Sequence, residues 1–208
     1  MVVLGTGRRV QRLLAALLLS LVLGTASAAS ADDNDACAHM LPEALRAQVL
    51  KDNPHYRFLR VDDYSADDIQ SERQYHQGSP CLAAASGDYF GEGRTSYAFM
   101  LLSDTSYAVV LVAHQNIKGQ WEIGKIGDVW HMDYVRGSFN QYVNTTPAGK
   151  YHDVVLEEGV DPKDLAAEAG WVSDITSDKP GIAIGTIEAS EVAYFFEKGH
   201  WVFTNVED

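Results

Sequence analysis

Basic residues are scarce in this sequence of 208 residues, which has 16 lysines and arginines against 29 aspartates and glutamates. Arg8, Arg9 and Arg12 lie within the first 28 residues, so the rest of the chain has 13 basic and 29 acidic residues, a formal charge of −16. A surface this acidic repels phosphate groups. We therefore expect the chain to bind neither nucleic acid nor the surface of an anionic membrane.

Long apolar segments are also lacking. The longest is the 11-residue run from Leu13 to Leu23, which is too short to cross a hydrocarbon core about 30 Å thick. Basic residues precede this run and Ala26-Ser27-Ala28 follows it, as is typical of a secretory signal peptide. We predict a signal peptide over residues 1–28, no membrane insertion after its cleavage, and a periplasmic or secreted protein.

Cysteine is rare as well, and Cys37 and Cys81 are the only two. Two cysteines cannot form a structural zinc site alone, and they do not form a CxxC redox motif. In an oxidising compartment such a pair predicts one disulfide. Closing a loop of about 45 residues would stabilise the fold by up to about 4 kcal/mol.

The pattern of apolar residues predicts a β-rich α+β fold, mainly an antiparallel sheet of hairpins with an N-terminal helix and one short later helix. We expect a flexible acidic N-terminus over residues 29–36 and a single globular domain over residues 37–208. Apolar residues at helical spacing predict a helix over residues 41–53, and Asp161-Pro162 predicts the start of the later one. The strands are predicted over residues 97–102, 107–114, 121–126, 154–156, 182–187, 192–197 and 200–205.

The segment over residues 87–98 has the composition of a cation-binding loop. Asp88, Glu92 and Ser96 place oxygen-bearing side chains at positions 1, 5 and 9 of a turn that leads into a strand. Gly91 and Gly93 allow the positive φ angles that such a turn needs. Calcium takes 6–8 oxygen ligands, and these three side chains supply few of them.

This segment resembles the calcium loop of FG-GAP or VCBS-type repeats, in which D-x-[ND]-G-D-G precedes an acidic residue and an apolar strand. The sequence departs from that pattern at Phe90, Glu92 and Ser96. We therefore expect a metal-free structural turn and no cofactor. The alternative is a weak calcium site at Asp88, Glu92 and Ser96, with an affinity no tighter than millimolar.

A wider stretch is similar to small exported bacterial proteins that contain one FG-GAP-like unit. The similarity rests on the helix start at residues 41–45, Cys81 before the turn, the strand over residues 97–102 and the closing hairpin from Tyr194 to Trp201. Some related proteins act as periplasmic immunity proteins that block a cell-wall-cutting toxin. The resemblance implies a binding protein of that kind.

The common catalytic motifs GxSxG, HExxH, GxxxxGK[ST] and GxGxxG after a strand do not occur in the sequence. His131 and Asp133, which follow Trp130, are the only close His/Asp pair with an aromatic neighbour, and they suggest a base with its orienting acid or two metal ligands. His152-Asp153 is a weaker candidate. Glu157 and Glu158 would point to opposite faces of the predicted strand, so they would not share a site.

The favoured hypothesis is a non-enzymatic binding protein, in its most concrete form an inhibitor or immunity protein against a basic, cell-wall-active partner. An aromatic loop over residues 130–142 and an acidic surface are the predicted contacts. Those contact residues are Trp130, Tyr134, Tyr142, Asp62, Asp63, Asp67 and Asp68. Two alternatives stay open: a periplasmic hydrolase that uses His131 and Asp133, and an envelope structural module without catalytic activity.

Overall fold

The computed structural model describes residues 36–76, 78–131, 135–157, 159–165 and 168–207. The signal peptide predicted over residues 1–28 lies outside the described residues, as do residues 29–35 of the predicted flexible N-terminus. Ala36, the last residue of that segment, already belongs to a helix. The helices of the described residues are α1 (Ala36–Met40), α2 (Glu43–Asp52), α3 (Ala66–Glu72), α4 (Val154–Glu157) and α5 (Pro162–Leu165).

Strands dominate the described residues, and every pairing between these strands is antiparallel, which confirms the predicted β-rich α+β class. The strands of the first half are β1 (Tyr56–Phe58), β2 (Ala84–Gly87), β3 (Ser96–Ser103), β4 (Tyr107–Gln115) and β5 (Trp121–His131). Those of the second half are β6 (Gln141–Thr146), β7 (Gly149–His152), β8 (Asp174–Ser177), β9 (Gly181–Thr186), β10 (Glu191–Glu197) and β11 (His200–Glu207).

These strands form three sheets, whereas the sequence pattern suggested one. The first sheet has the order β1-β3-β4-β5, with β2 also paired to β3, and the second has the order β11-β10-β9-β6. The third contains only β7 and β8. Phe99 and Val110 of the first sheet belong to the same buried cluster as Val143 and Ile182 of the second, so these two sheets share a hydrophobic core.

The second sheet also buries residues on its other face. Along β10, Tyr194 packs against the main core, whereas its neighbour Phe195 belongs to a smaller cluster with Ile175 of β8 and Val202 of β11. This alternation is the expected two-residue period of a strand. The β7–β8 pair therefore covers the face of the second sheet that points away from the first.

Several local predictions are confirmed. Helix α2 buries Leu45 and Val49, which are four residues apart. The β10–β11 hairpin turns at Lys198 and Gly199, with φ angles of 51° and 88°, as a type I′ turn requires. Cys37 and Cys81 form the predicted disulfide, with a Cα–Cα distance of 4.9 Å, and so connect α1 to the segment that enters β2.

The strand predicted over residues 154–156 is wrong, because these residues form helix α4. The cause is Asp153, whose Oδ1 accepts the backbone N–H of Val155 at 3.0 Å. A side-chain acceptor at this position satisfies a free N–H of the first turn and favours helix over strand. Among the described residues, no helix is long and apolar enough to cross a membrane.

Candidate functional site

A wide cleft lies between helix α3, the β6–β7 segment and the turn that joins β9 to β10. We call it the acidic groove and define it by the lining residues within segments 67–75, 142–151 and 186–191, together with Val206. Its volume is about 1260 Å³, which is larger than the ~300–1,000 Å³ of most small-molecule pockets. A groove of this size suits an extended chain better than a single small molecule.

Four carboxylate side chains line the acidic groove, and no lysine or arginine is found among its described lining residues. The carboxylates are those of Asp67, Glu72, Glu188 and Glu191. Like charges that share a low-dielectric cleft add their potentials, which attracts cations and repels anions. The groove therefore favours a cationic ligand.

Three tyrosines add aromatic surface to these charges. Tyr75 is exposed on the α3 side, Tyr142 lies in β6 and Tyr151 lies in β7. Aromatic faces attract ammonium and guanidinium groups, by about 0.5–1 kcal/mol at exposed sites. Charge and aromatic surface together match the side chains of lysine and arginine.

Hydrogen bonds fix the walls of the groove. Asn144 Nδ2 donates to the carbonyl oxygen of Tyr75 at 3.0 Å and so ties the segment after α3 to β6. On the opposite wall, the Tyr142 hydroxyl donates to Glu191 Oε2 at 2.7 Å. The Tyr151 hydroxyl donates to the carbonyl oxygen of Pro147 at 2.7 Å. These bonds hold the three segments in place before any ligand binds.

Glu188 adopts an unusual backbone conformation in the β9–β10 turn, with a φ angle of 59°. This left-handed region is unfavourable for residues other than glycine. Strained residues often mark functional positions, and Glu188 lies at the rim of the groove.

The predicted aromatic loop over residues 130–142 is wrong in part, because both of its ends lie in strands. Tyr142 is only 7% exposed and forms the floor of the groove rather than a projecting anchor. Trp130 lies in β5, packs against the main core and borders a separate cavity of about 240 Å³. Its Nε1 is buried without a hydrogen-bond partner among the described residues. Tyr134 lies outside the described residues.

The four predicted surface acids do not form one patch. Asp63 is wrong as a surface residue, since it is 2% exposed and pairs with Arg57 through two hydrogen bonds of 2.7 and 2.8 Å. Asp62 is exposed and forms an ion pair with Arg136. Asp67 alone lines the acidic groove, and Asp68 lies beside it in the first turn of α3.

The calcium-like loop uses its oxygens within the protein. The two carboxylate oxygens of Asp88 accept the backbone N–H groups of Glu92 at 2.9 Å and Gly93 at 2.7 Å. Glu92 pairs with Arg94, and that hydrogen bond lowers the pKa of the Glu92 carboxyl. Ser96 is buried at the start of β3. In the described part of the chain, no three His, Cys, Asp or Glu side chains are arranged to hold a metal ion.

Of the two predicted histidine pairs, only His152-Asp153 lies wholly within the described residues. His131 is exposed at the end of β5 and packs edge-on against Tyr107, and Asp133 lies outside the described residues. His152 pairs with Asp174 at 2.8 Å instead of with Asp153. Glu157 belongs to helix α4 and not, as the sequence predicted, to a strand. Glu158 lies outside the described residues, so the relative orientation of the two side chains is not described.

Asp153 is buried in the interior, where the backbone of Val155 and the side chains of Trp171, Thr204 and Asn205 donate to it. Burial by itself raises the pKa of this carboxyl. The hydrogen bonds, first among them that from Trp171 Nε1 at 2.7 Å, outweigh burial and hold the pKa below its usual range. Asp153 is therefore a charged structural residue.

The sequence does not predict that Glu72, Glu188 and Glu191 share a site, because no local pattern relates them. More than 100 residues separate Glu72 from the other two, and each looks like an ordinary solvated charge. The pairing of β9 with both β6 and β10 places the β9–β10 turn beside β6, and the hydrogen bond from Asn144 of β6 to Tyr75 places the end of α3 at the same cleft. No protein-family model, no curated protein and no solved structure matches this chain.

Proposed function

We propose that this protein is an exported, non-enzymatic binding protein whose acidic groove takes a basic segment of a partner protein. The observation that carries the proposal is the lining of the groove: four carboxylates and three tyrosines, without a lysine or arginine among the described lining residues. Its volume of about 1260 Å³ accommodates several residues of an extended chain. The disulfide between Cys37 and Cys81 supports export, since such bonds persist in oxidising compartments.

Two ranges of electrostatic attraction support the same partner. The charge of −16 after residue 28 acts over distances up to the Debye length, about 8 Å at physiological salt, and speeds the approach of a basic protein. The groove carboxylates act at contact and fix where the basic segment binds. An inhibitor or immunity protein against a basic cell-wall-active enzyme is the version that we favour, because the FG-GAP-like resemblance implies the same role.

The test is calorimetric titration of the mature protein with a blocked octapeptide of alternating glycine and arginine. A matched peptide with citrulline in place of arginine keeps the shape and removes the charge. We expect the arginine peptide to bind with micromolar affinity and the citrulline peptide to bind at least tenfold more weakly. Equal affinity for the two peptides would contradict the proposal.

Two double variants, each of which removes two negative charges, test whether the peptide binds in the groove. Asp67→Asn/Glu188→Gln removes two groove acids, and Asp52→Asn/Asp178→Asn removes two exposed acids that do not line the groove. We expect the first variant to weaken binding of the arginine peptide at least fivefold and the second to change it less than twofold. Equal losses in the two variants would mean that only net charge matters, and would overturn the groove as the binding site.

A further inference from the structure

A second cavity lies between strand β5 of the first sheet and strands β9 and β10 of the second. We call it the inter-sheet cavity. Its volume is about 240 Å³, and Trp130, Ile184, Val192 and Tyr194 are among the residues that line it. Among the described residues, Thr186 is the only one that lines both this cavity and the acidic groove. The inter-sheet cavity is therefore a separate candidate site.

The apolar wall that the second sheet gives to this cavity continues the main core. Ile184 of β9 pairs with Val192 of β10 on one side and with Val143 of β6 on the other. Residues directly opposite each other in an antiparallel pair lie on the same face of the sheet. Val143 belongs to the main core, so Ile184 and Val192 lie on the face that points toward the first sheet. Ser190, which also lines the cavity, is exposed, so the cavity opens to solvent at this end.

A bulge in β5 shapes the opposite side of the cavity. The register between β4 and β5 shifts between Ala108 and Val110, so residues 127–129 of β5 lie opposite a single residue of β4. Gly127 has a φ angle of 65°, and a Cβ atom there would lie 3.1 Å from the hydroxyl oxygen of Tyr194. Glycine therefore allows both the left-handed backbone and its close approach to Tyr194. Bulges redirect side chains and are frequent beside functional sites.

Trp130 brings to the cavity a hydrogen-bond donor that has no acceptor. Its ring packs against the main core, and its Nε1 is buried without a hydrogen-bond partner among the described residues. The large majority of buried side-chain polar atoms have such a partner. Gln141, which also lines the cavity, follows this rule, since its Nε2 donates to Thr186 Oγ1 at 2.6 Å. The indole N–H is therefore the group to which an acceptor entering the cavity would bind.

Charge and size define the chemical class of the ligand. None of the described residues that line the cavity is charged. An ionised group would lose its hydration there without gaining an opposite charge, so a neutral ligand is favoured. An apolar cavity of about 150 Å³ holds a benzene molecule. The inter-sheet cavity, at about 240 Å³, therefore accommodates one ring with a small polar substituent.

We propose that the inter-sheet cavity binds a small neutral ligand made of one ring and a carbonyl-type acceptor, and that Trp130 Nε1 donates a hydrogen bond to that acceptor. Ile184, Val192 and Tyr194 contact the ring of the ligand. This inference goes beyond the proposed function and does not rest on it, because it concerns a neutral ligand and a different cavity. Its failure would leave the acidic groove as proposed.

The test compares two probes of the same shape, acetophenone and α-methylstyrene, in which a methylene group replaces the carbonyl oxygen. Binding is followed by nuclear magnetic resonance of the labelled mature protein, whose four tryptophans give four indole N–H signals that sequential assignment distinguishes. We expect acetophenone to move the Trp130 signal downfield in a saturable manner. We expect α-methylstyrene to bind at least fivefold more weakly, because it offers no acceptor. Benzoate, which has the same ring and a negative charge, should not bind.

Three variants show where the probes bind. Trp130→Phe keeps an aromatic ring and removes the donor, so it should weaken acetophenone binding at least fivefold and change α-methylstyrene binding less than twofold. Val192→Phe fills part of the cavity and should weaken binding of both probes at least tenfold. Ile117→Phe adds the same ring at an exposed position outside the cavity and should leave both affinities unchanged.

Two outcomes in the wild-type protein would overturn the inference: equal affinity for acetophenone and α-methylstyrene, or no saturable movement of the Trp130 indole signal. Because these measurements need no substitution, they decide the inference even if a variant fails to fold. Acetophenone binding that Val192→Phe leaves intact would place the ligand elsewhere and would overturn it as well. A downfield shift at Trp130, together with weaker binding of α-methylstyrene, supports it.

Discussion

The interior and the rim of the acidic groove both contain carboxylates, but those of the interior are hydrogen-bonded, whereas the two exposed ones at the rim, Asp67 and Glu188, are not. In the interior, Asp153 accepts hydrogen bonds from several residues and Asp63 is paired with Arg57. In the groove, no side-chain hydrogen bond from a described residue reaches Asp67 or Glu188. The difference teaches that the carboxylates of this protein have two roles. Those of the interior stabilise the fold, whereas Asp67 and Glu188 remain accessible to a ligand.

The largest expected effect comes from the interior. Asp153→Asn leaves several donors without a charged acceptor, and hydrogen bonds to charged groups contribute about 1.5–3 kcal/mol each. We expect the free energy of unfolding, measured in urea, to fall by about 3 kcal/mol or more. Asp174→Asn, which removes an exposed carboxylate beside His152, is the control and should leave the free energy of unfolding nearly unchanged. Similar losses of stability in the two variants would contradict the special role of the buried, hydrogen-bonded Asp153.

The contribution of Asp153 to the stability of the wild-type protein should depend on pH. The folded pKa of Asp153 lies below its unfolded value, so the carboxylate contributes stability above the unfolded pKa of about 3.9, and this contribution is lost as pH falls through the folded pKa. We therefore expect the stability difference between wild type and Asp153→Asn to shrink as pH falls from about 5 toward 2. A difference that stays constant over this range would contradict the assignment.

Asp63 and Asp62 are adjacent and provide a matched pair. Asp63 is buried against Arg57, whereas Asp62 is exposed beside Arg136. Removing one partner of a buried pair costs up to about 3–5 kcal/mol, and less here because Arg57 is partly exposed. We expect Asp63→Asn to lower the free energy of unfolding by about 2 kcal/mol and Asp62→Asn by less than about 0.5 kcal/mol. The reverse order in thermal unfolding would show that the assignment of burial is wrong.

The smallest effect on stability is expected in the groove, at Glu188. Its φ angle of 59° is one that glycine adopts without strain, so Glu188→Gly removes strain while it loosens the unfolded chain. We expect the free energy of unfolding to change by no more than about 0.5 kcal/mol. Binding of the arginine peptide should nevertheless weaken two- to fivefold at low salt, as measured by calorimetry. A loss of stability with unchanged peptide binding would mean that Glu188 stabilises the fold and does not contact the ligand.

The sequence predicted those parts of the fold that depend on local patterns. The apolar strands β3 and β4, the turn at Lys198 and Gly199, and the disulfide follow from residue type and spacing. The sequence does not predict strand β6, because its residues Gln141, Asn144 and Thr145 are polar, although Tyr142 and Val143 are buried. The strand predicted over residues 154–156 is wrong because the hydrogen bond from the backbone N–H of Val155 to Asp153 stabilises a helix and outweighs the strand propensity of these residues.

The site was harder to predict than the fold, because its residues are distant in sequence. Asp67 and Tyr142 were identified from charge and aromatic content, and the structure places both in the groove. The burial of Asp63 beside the exposed Asp62 could not be read from two adjacent aspartates. Nor does any local pattern show that Tyr142 reaches Glu191 across Gly185, since that contact requires the register of three strands.

The most direct test of the central claim is to locate the bound peptide by nuclear magnetic resonance. Amide signals of the labelled mature protein would be followed while the glycine–arginine octapeptide is added. We expect the largest shifts within segments 67–75, 142–151 and 186–191, which line the acidic groove, and small shifts at the exposed turn around Ile117. Shifts spread evenly over the acidic surface, or concentrated outside these segments, would contradict the account.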